Sequence, residues 1–500
     1  MKLTGYLKHI DTFIAAIIGF YVIHLFTKYS GVGISPDSIM YASTATNIQA
    51  HGTLITFNET PLVFFPVFYP FFLAVIQFFS HVDPITAGAT INSFLFAAVI
   101  LTSGWILSRF VAHSRIYKWL ILIAIILSPA LLEIYSFLWS ETLFILEVML
   151  FILAYHHYIK SHSIQTLLFA ALIAAISCIT RYAGVTLIGT GGLLLLLDNK
   201  LNVPKKIKHI CLFTLTSFSL LICNLVYNRL TSGLSTGTRE PSITPFSQNL
   251  YYVGTVINDW GSMVENADKF AILITSVIML TLMGVLAWKT YKGRINNYEN
   301  IVIAYAFVYG AFIILISTFS RFERINSRLL SPLFIPLLIS CTSWVPDMIN
   351  TIKSKAKYVL AGVAIFAMLA FEYATLRRDL DRYDDEMDYG VPGYSDDSWN
   401  KSEFVEYLKA HKHIFKPEIP IYSDANEAVY LFTGMPSALI PHKFFQKDVA
   451  KFYAKKRFYL IWFDSLYNKE LVSLQDIMAH KKLVKIGQAK EGEIYLCEEK

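Results

Sequence analysis

The sequence predicts a polytopic α-helical membrane protein with a small α/β domain at its C-terminal end. Of its 500 residues, 55% are hydrophobic and only 16% are charged, whereas soluble domains carry about 25% charged residues. The mean hydropathy is +0.48, and the apolar residues lie in blocks separated by short polar loops, which is the pattern of membrane-spanning helices. The composition changes abruptly near residue 376, where an acidic and aromatic stretch begins. Together these observations exclude a cytosolic enzyme, a disordered chain and a secreted disulfide scaffold.

The apolar blocks predict about eleven transmembrane helices, because each is about long enough to cross a hydrocarbon core of ~30 Å. The first block, 12–26, follows Lys2 and Lys8 and has no small-residue cleavage site after it. We interpret it as a retained signal anchor with a cytoplasmic N-terminus. The other blocks are 91–108, 119–136, 141–158, 164–180, 183–197, 209–228, 270–288, 300–319, 329–345 and 358–375.

One further apolar block, 62–79, is ambiguous because Pro61, Pro66 and Pro70 interrupt its N-terminal half. The distribution of lysine and arginine decides between the two topologies. If the block does not cross the membrane, most basic residues lie in cytoplasmic loops, as the positive-inside rule requires. We therefore predict that this segment lies in, or dips into, the outer membrane interface.

The predicted topology divides the chain into two domains. Residues 1–375 form a transmembrane domain whose outer loops are 29–90 and 229–268, and residues 376–500 form an extracytoplasmic α/β domain. The cytoplasmic loops are short and basic, so we expect any chemistry to face outward. In the C-terminal domain, the residue patterns predict strands at 420–422, 458–463 and 493–497, the last at the sheet edge, and helices at 426–432 and 469–480.

Residues 33–52 predict a short helix just outside the membrane. Ser35 is a natural N-cap, Pro36 fits the first helical position, and Gly52 ends the helix. Asp37 would then lie in the first turn, where the helix dipole favours its ionised form. It is either a general base at the bilayer surface or only a complement to the dipole.

Further carboxylates occur around the predicted span at 141–158. Glu133 closes the preceding span, and Glu141 opens this one on the outer side, as a cap or a dipole partner. Together with Asp37, they would suit a divalent metal ion or acid–base pairing if the fold brought them together. Glu147 lies about two turns deeper, where ionisable groups are costly and often functional.

The arginine cluster at 321–328 departs from the positive-inside trend. Arg181 lies in a predicted outer turn, and Arg321, Arg324 and Arg328 have the i, i+3, i+7 spacing of one helical face. Guanidinium groups at the outer surface are suited to a phosphate or pyrophosphate. The alternative is that they pair with lipid headgroups or with Glu323.

Several kinds of partner are not indicated. The sequence has no phosphate-binding P-loop, dinucleotide fingerprint or zinc-protease motif, so no nucleotide or other certain cofactor is predicted. No basic stripe with interleaved aromatic residues suggests nucleic-acid binding. The five cysteines lack the spacing of a zinc site or a disulfide framework.

The order of five short motifs resembles the GT-C glycosyltransferases, especially the bacterial branch similar to protein O-mannosyltransferases and aminoarabinose transferases. The resemblance covers about residues 10–375, and its motifs are SPDSIMY, FPVFYPFFLAVI, SFLWSETLF, TRYAG and SRLLSPLF. It implies a multi-pass enzyme of the bacterial inner membrane. Such an enzyme would move a sugar from a polyprenyl-phosphate donor to a hydroxyl group of a glycan, lipid or protein on the extracytoplasmic face. The C-terminal domain resembles the small outer domains of some members.

The resemblance also implies roles for individual residues. Asp37 stands where the family has an acidic residue that acts on the acceptor, and Glu141 matches a frequent acidic residue of the second outer loop. Many members carry two adjacent acids in the first loop, whereas Ser38 follows Asp37 here. The physics agrees with this scheme, because arginines would stabilise the leaving polyprenyl phosphate and a single displacement would invert the anomeric carbon. The arginines concerned are Arg181, Arg321, Arg324 and Arg328.

Two other classes of function are considered. A transporter or flippase of a lipid-linked sugar or phosphorylated solute would use the same arginines for phosphate and would need no base. The sequence has no matching pair of broken helices in two halves, which weakens that alternative. A structural envelope protein whose tail recruits partners would leave the outward arginines without a role.

Overall fold

The computed structural model describes residues 9–110, 114–262, 267–295, 297–321, 323–464 and 468–498. Lys2 and Lys8, which contribute to the predicted cytoplasmic N-terminus, lie outside the described residues. The chain divides into two compact units. The first unit comprises Met1–Lys28, Val63–Tyr69 and Ala87–Asp385, and the second comprises Tyr29–Leu62, Pro70–Thr86 and Glu386–Lys500.

The apolar blocks of the sequence are mainly helical. The helices up to residue 389 are α1 (Ile10–Phe26), α2 (Pro36–His51), α3 (Phe68–Ser80), α4 (Pro84–Phe110), α5 (Arg115–Ile126), α6 (Pro129–Ser136), α7 (Glu141–Ser161), α8 (Ile164–Thr180), α9 (Val185–Leu197), α10 (Val203–Ser232), α11 (Phe246–Trp260), α12 (Ala271–Tyr291), α13 (Tyr298–Phe319), α14 (Ser327–Thr342), α15 (Val345–Thr351) and α16 (Ala356–Tyr389). Short 3₁₀ turns are Tyr182–Gly184 and Ala267–Phe270.

Within the described ranges, seven helices are long and apolar enough to cross a membrane, judged by length and composition. They are α4, α7, α10, α12, α13, α14 together with α15, and α16. The predicted block 119–136 forms the pair α5 and α6, which is bent by 48° and would be an eighth span if it crosses as one. The shorter apolar helices are α1, α3, α8 and α9, and the total of eleven spans stays a prediction.

The ambiguous block at 62–79 is helical only in its second half. Pro61 and Pro66 lie in non-helical chain, and α3 begins at Phe68. Pro70 falls in the first turn, where a backbone N–H would have no partner within the helix. The prolines therefore interrupt the block where the sequence predicts.

In the first unit, helix α7 lies at the centre of the packing. Of the residues in its 18-residue apolar stretch, 78% are buried, compared with 11% for the corresponding stretch of α16. It packs against α8, α13 and α14, so its N-terminal end is held among several other helices. The helix α16 continues from the predicted span at 358–375 across residue 376, and the division between the units falls at Glu386.

The second unit contains a five-stranded sheet in the order β2-β1-β3-β5-β4. Strands β2, β1 and β3 are parallel, and β3, β5 and β4 are antiparallel. The strands are β1 (Ile421–Ser423), β2 (Ala438–Leu439), β3 (Arg457–Phe463), β4 (Leu483–Ala489) and β5 (Gly492–Glu498), and the helices are α17 (Asp397–Asn400), α18 (Glu403–Ala410), α19 (Asn426–Thr433), α20 (Gln446–Tyr453) and α21 (Leu474–His480), with a 3₁₀ turn at Lys412–Ile414.

Two features of this sheet differ from the prediction. The segment 493–497 is a strand, but its predicted position at the edge is wrong, because β4 pairs with its outer side. Strand β4 is largely exposed and has no clear hydrophobic alternation that would reveal it. The helix predicted over 469–480 begins only at Leu474, where Ser473 and Asp476 form a capping box.

Segment 29–62 and the C-terminal domain share one hydrophobic core. Ile34, Ile39 and Phe57 are buried in the same cluster as residues of α18, α19 and β3. The residues from the C-terminal side include Phe404, Val405, Leu408, Ala428, Val429, Tyr459, Ile461 and Phe463. Segment 29–62 is therefore built into the second unit, although more than three hundred residues of the first unit follow it in the chain.

Candidate functional site

Helix α2 has the boundaries that its capping residues predict. The Ser35 backbone N–H donates to Ser38 Oγ over 3.0 Å, and the Ser38 N–H donates to Ser35 Oγ over 3.4 Å, which completes a capping box. Pro36 is the first helical residue, and Gly52 ends the helix in the left-handed region with φ 66°. Asp37 is half-buried in the first turn, where its negative charge complements the helix dipole.

Two carboxyl groups of the C-terminal domain lie at the start of α19 in the second unit. Helix α19 packs against α2, and burial, with the charge of Asp37 as a further cause, raises the pKa of Glu427 to about 7. Burial also raises the pKa of Asp424 to about 7. Both groups therefore favour the protonated form more than ordinary carboxyls do.

Sequence reasoning missed Glu427 and Asp424. Asp424 directly follows strand β1, and Glu427 lies in the first turn of α19. An acidic residue directly after a buried strand is the signal that could have marked them, but nothing local connects that stretch to Asp37.

Glu141 lies at the centre of a buried ion-pair cluster in the first unit. Its side chain is 1% exposed. Oε1 accepts a hydrogen bond from Arg328 Nε over 2.6 Å, and Oε2 lies 2.6 Å from Arg181 Nη1 in an ion pair. Arg181 Nη1 also donates to Ser140 Oγ over 2.8 Å. The Arg328 guanidinium lies 4.0 Å from the ring centroid of Trp139, which adds a cation–π contact. We call Glu141, Arg181 and Arg328 the Glu–Arg cluster.

A tight turn places Arg181 in this cluster. Arg181 caps α8, and its backbone N–H donates to the Ser177 carbonyl over 2.9 Å. The chain then folds back so closely that a methyl group on Gly184 would overlap the backbone of Ser177. In the last turn of α8, Thr180 Oγ1 donates over 2.7 Å to Glu147, which is buried in α7. The turn is thus fixed to both neighbouring helices.

The three arginines at 321–328 do not share a helical face, so that prediction is wrong. Helix α14 begins only at Ser327, because the Asn326 side chain caps it by accepting from the Leu329 N–H over 3.0 Å. Arg321 and Arg324 therefore precede the helix, and Arg328 lies in its first turn. Arg328 joins Arg181 at Glu141.

Arg321 and Arg324 contact the segment 229–268 instead. The Arg321 backbone N–H donates to the Glu240 carbonyl over 2.8 Å, and the Arg324 guanidinium lies 4.4 Å from the ring centroid of Tyr252 on α11. These two residues are therefore associated with the second predicted outer loop within the first unit.

The composition of the Glu–Arg cluster suits an anion. Two guanidinium groups share one carboxylate in this cluster. Each guanidinium has five N–H donors in a planar fork. The arginine side chains are 19% and 15% exposed, respectively. A phosphate oxygen is the ligand that such partly accessible forks bind best.

Among the described residues, no group of three or more His, Cys, Asp or Glu side chains could hold a metal ion. Asp37 and Glu141, which the sequence suggested as metal ligands if they met, belong to different compact units.

The fold is similar to those of two solved membrane enzymes. ArnT from Cupriavidus metallidurans bound to undecaprenyl phosphate matches with a TM-score of 0.56 and 11% identity, over 99% of this chain and 98% of that one. Its apo state matches with a TM-score of 0.55 and 10% identity over the same shares. The archaeal oligosaccharyltransferase AglB from Archaeoglobus fulgidus, in complex with an inhibitory peptide and a dolichol-phosphate, matches with a TM-score of 0.53 and 11% identity, over 93% of this chain and 70% of that one.

No protein-family model matches the chain, and no curated protein sequence matches it significantly. The similarity therefore concerns the fold. It confirms the predicted architecture, a mainly α-helical chain with several described helices long and apolar enough to cross a membrane and a small C-terminal sheet region.

Proposed function

We propose that this protein is a membrane glycosyltransferase that moves a sugar from a polyprenyl-phosphate donor to an acceptor hydroxyl group. The observation that carries the proposal is the Glu–Arg cluster, in which one buried carboxylate holds two partly accessible guanidinium groups. Support comes from the fold, because the similar ArnT and AglB structures contain undecaprenyl phosphate and dolichol-phosphate. The proposed setting is the extracytoplasmic face of a bacterial inner membrane, with a glycan, lipid or protein as acceptor.

Arg181 and Arg328 are the proposed ligands of the donor phosphate. When the bond between the sugar and the phosphate breaks, negative charge develops on the leaving phosphate oxygen. Guanidinium groups that are already oriented by a buried carboxylate stabilise that charge without reorganising. Arg321 and Arg324 remain proposed phosphate ligands from the side of the segment 229–268.

Glu141 acts through the two arginines in this proposal. Its side chain is 1% exposed and forms ion pairs with both guanidinium groups, so proton abstraction by Glu141 would require breaking two buried ion pairs. Breaking such pairs is costly. The geometry favours a positioning role over the catalytic role considered from the sequence.

Asp37 is the proposed general base. It would take the proton of the acceptor hydroxyl as that oxygen forms a bond to the anomeric carbon. The bond from the anomeric carbon to the phosphate oxygen breaks, and polyprenyl phosphate leaves with the electron pair. A single displacement of this kind inverts the anomeric configuration.

The test is to incubate the purified protein in lipid vesicles with a panel of polyprenyl-phosphate hexoses and pentoses. Release of polyprenyl phosphate with transfer of the sugar is the expected result. Movement of an intact lipid-linked sugar across the vesicle, without cleavage, would support the flippase alternative instead. A panel that is neither cleaved nor bound would overturn the proposal.

A further inference from the structure

A loop of the C-terminal domain is hydrogen-bonded to the backbone just before the Asp37 helix. The Ile34 N–H donates to Ser395 Oγ over 3.1 Å, and the Ile34 carbonyl accepts from the Tyr394 N–H over 2.8 Å. The Val391 N–H donates to Ser30 Oγ over 2.7 Å. Both backbone groups of Ile34 are thus held by the segment 390–395, which we call the strap loop.

The sequence of the strap loop fits this close contact. Gly393 has φ +99°, a conformation that residues with a side chain rarely adopt, and a methyl group there would overlap the carbonyl oxygen of Ile34. Gly390 has φ +82°, and a methyl group there would meet Ser30 at 3.1 Å. The two glycines therefore allow the loop to approach both ends of the segment 30–34.

The helix that follows is held by the same domain. Ile39, on the buried side of α2, belongs to one hydrophobic cluster with Ala428 and Val429 of α19. Beyond the end of α2, the rings of Phe57 and Tyr430 are 4.9 Å apart. The helix is therefore fixed to the C-terminal domain before its first turn, along its buried side and beyond its end.

We propose that the strap loop is a positioning element for Asp37, with Gly393 and Ser395 as positioning residues. This inference rests on the proposed function, in which Asp37 is the general base. Ile34 directly precedes the N-cap Ser35, so its two hydrogen bonds fix the backbone from which the first turn of α2 starts. A base must lie within hydrogen-bond reach of the proton that it takes, and small displacements of a reacting group can cost about 100-fold in rate.

In this proposal the C-terminal domain contributes to sugar transfer by holding Asp37 in position. Residues of the strap loop contact neither the proton nor the sugar in this scheme. They act through the backbone of Ile34 on the orientation of Asp37. Their loss should therefore lower kcat, while the KM for the lipid-linked donor, whose phosphate is assigned to the first unit, should stay close to the wild-type value.

The test compares Gly393→Ala with Gly434→Ala. Gly434 also has a positive φ, of +73°, and lies in the same domain, but nothing lies within 4 Å of its added methyl group. The control therefore carries backbone strain without the overlap with Ile34. Ser395→Ala is the second variant, because it removes one hydrogen bond and adds no bulk.

Two readouts are taken on the full-length protein in lipid vesicles. Hydrogen exchange of the amides in 37–51 reports local opening of α2. Release of polyprenyl phosphate from the polyprenyl-phosphate sugar panel gives kcat and KM. In Gly393→Ala we expect faster exchange at the start of α2 and a kcat lower by about 100-fold, with KM within about twofold. Ser395→Ala should shift both readouts in the same direction by less, and Gly434→Ala should match the wild type.

If hydrogen exchange in α2 is unchanged in both Gly393→Ala and Ser395→Ala, the inference is overturned. Faster exchange with an unchanged kcat would overturn it as well. If Gly393→Ala does not fold, Ser395→Ala decides alone. If the wild type releases no polyprenyl phosphate, the proposed function fails. The exchange data then still show whether the strap loop positions α2.

Discussion

Arg328 Nε lies 2.6 Å from Oε1 of Glu141, although 187 residues separate the two in the chain. The other oxygen of Glu141 is 2.6 Å from Arg181 Nη1. One buried carboxylate thus orients two guanidinium groups from different helices. Such an arrangement is sensitive to the loss of the central charge, because two buried positive charges would then lie without their common partner.

Glu141→Gln should lower both stability and transfer. We expect a loss of about 3–5 kcal/mol in the free energy of unfolding, and a rise in the KM for the donor because the arginines lose their fixed orientation. Thermal unfolding in detergent and the release of polyprenyl phosphate measure the two effects. Glu299→Gln is the matched control, since the pair of Glu299 with Lys289 is more exposed and should be worth about 1 kcal/mol or less. Equal effects of the two substitutions would contradict the central role of Glu141.

Arg328→Lys should weaken donor binding more than Arg324→Lys. A lysine at 328 loses the planar fork that reaches Glu141 and lies on Trp139. Hydrogen bonds to charged groups are worth about 1.5–3 kcal/mol, so the KM for the donor should rise by about tenfold or more. A titration with polyprenyl phosphate, monitored by tryptophan fluorescence, measures the binding directly. A larger loss of donor affinity in Arg324→Lys would indicate instead that the phosphate binds next to the segment 229–268.

Gly184→Ala should disturb Arg181 without changing any charge. A methyl group at 184 overlaps the backbone of α8, so the turn that carries Arg181 must shift. We expect lower thermal stability and a higher KM for the donor. Gly192→Ala in α9 is the control, because nothing lies within 4 Å of its added methyl group and alanine is favoured over glycine in a helix by up to about 1 kcal/mol. If Gly192→Ala also loses donor affinity, the effect of Gly184→Ala cannot be attributed to the turn that carries Arg181.

The stability of the protein should fall as the pH rises from about 4.5 to 7. The pKa of Glu427 is raised by burial to about 7 in the folded state, from an ordinary value of 4.5. Between these values the folded state binds more protons than the unfolded state, so the free energy of unfolding decreases with pH. Asp424, whose pKa is also raised to about 7, contributes in the same direction.

Glu427→Gln should flatten this dependence, since glutamine does not titrate. The measurement is the midpoint of thermal unfolding at a series of pH values, with Glu470→Gln on an exposed side chain as the control. A wild-type midpoint that rises over this range would contradict the burial of Glu427. A flat profile in the control as well would show that the dependence has another origin.

The sequence predicts the parts of this structure that local signals determine. Helix α2 follows from Ser35, Pro36 and Gly52, because capping and proline preferences act within one or two turns. The apolar blocks likewise become helices, because a long apolar segment in a membrane can satisfy its own backbone hydrogen bonds only as a helix. The prediction that Asp37 lies in the first turn of α2 is confirmed for this reason.

Other parts depend on contacts that no local pattern contains. The spacing of Arg321, Arg324 and Arg328 fits a helix, but the cap at Asn326 shortens that helix from its N-terminal side. The meeting of Arg181 and Arg328 at Glu141 requires three separate helices to pack. The strap loop and Glu427 belong to the unit of Asp37 only because 29–62 and 386–500 fold together.

The most direct test of the account is the transfer activity of Asp37→Asn on the lipid-linked donor. The substitution removes the proposed base and keeps the size of the side chain. We expect sugar transfer to fall by at least about 100-fold, with binding of polyprenyl phosphate and thermal stability close to the wild type. Asp448→Asn, on an exposed side chain of the C-terminal domain, should transfer sugar normally. Full transfer by Asp37→Asn would contradict the proposed mechanism.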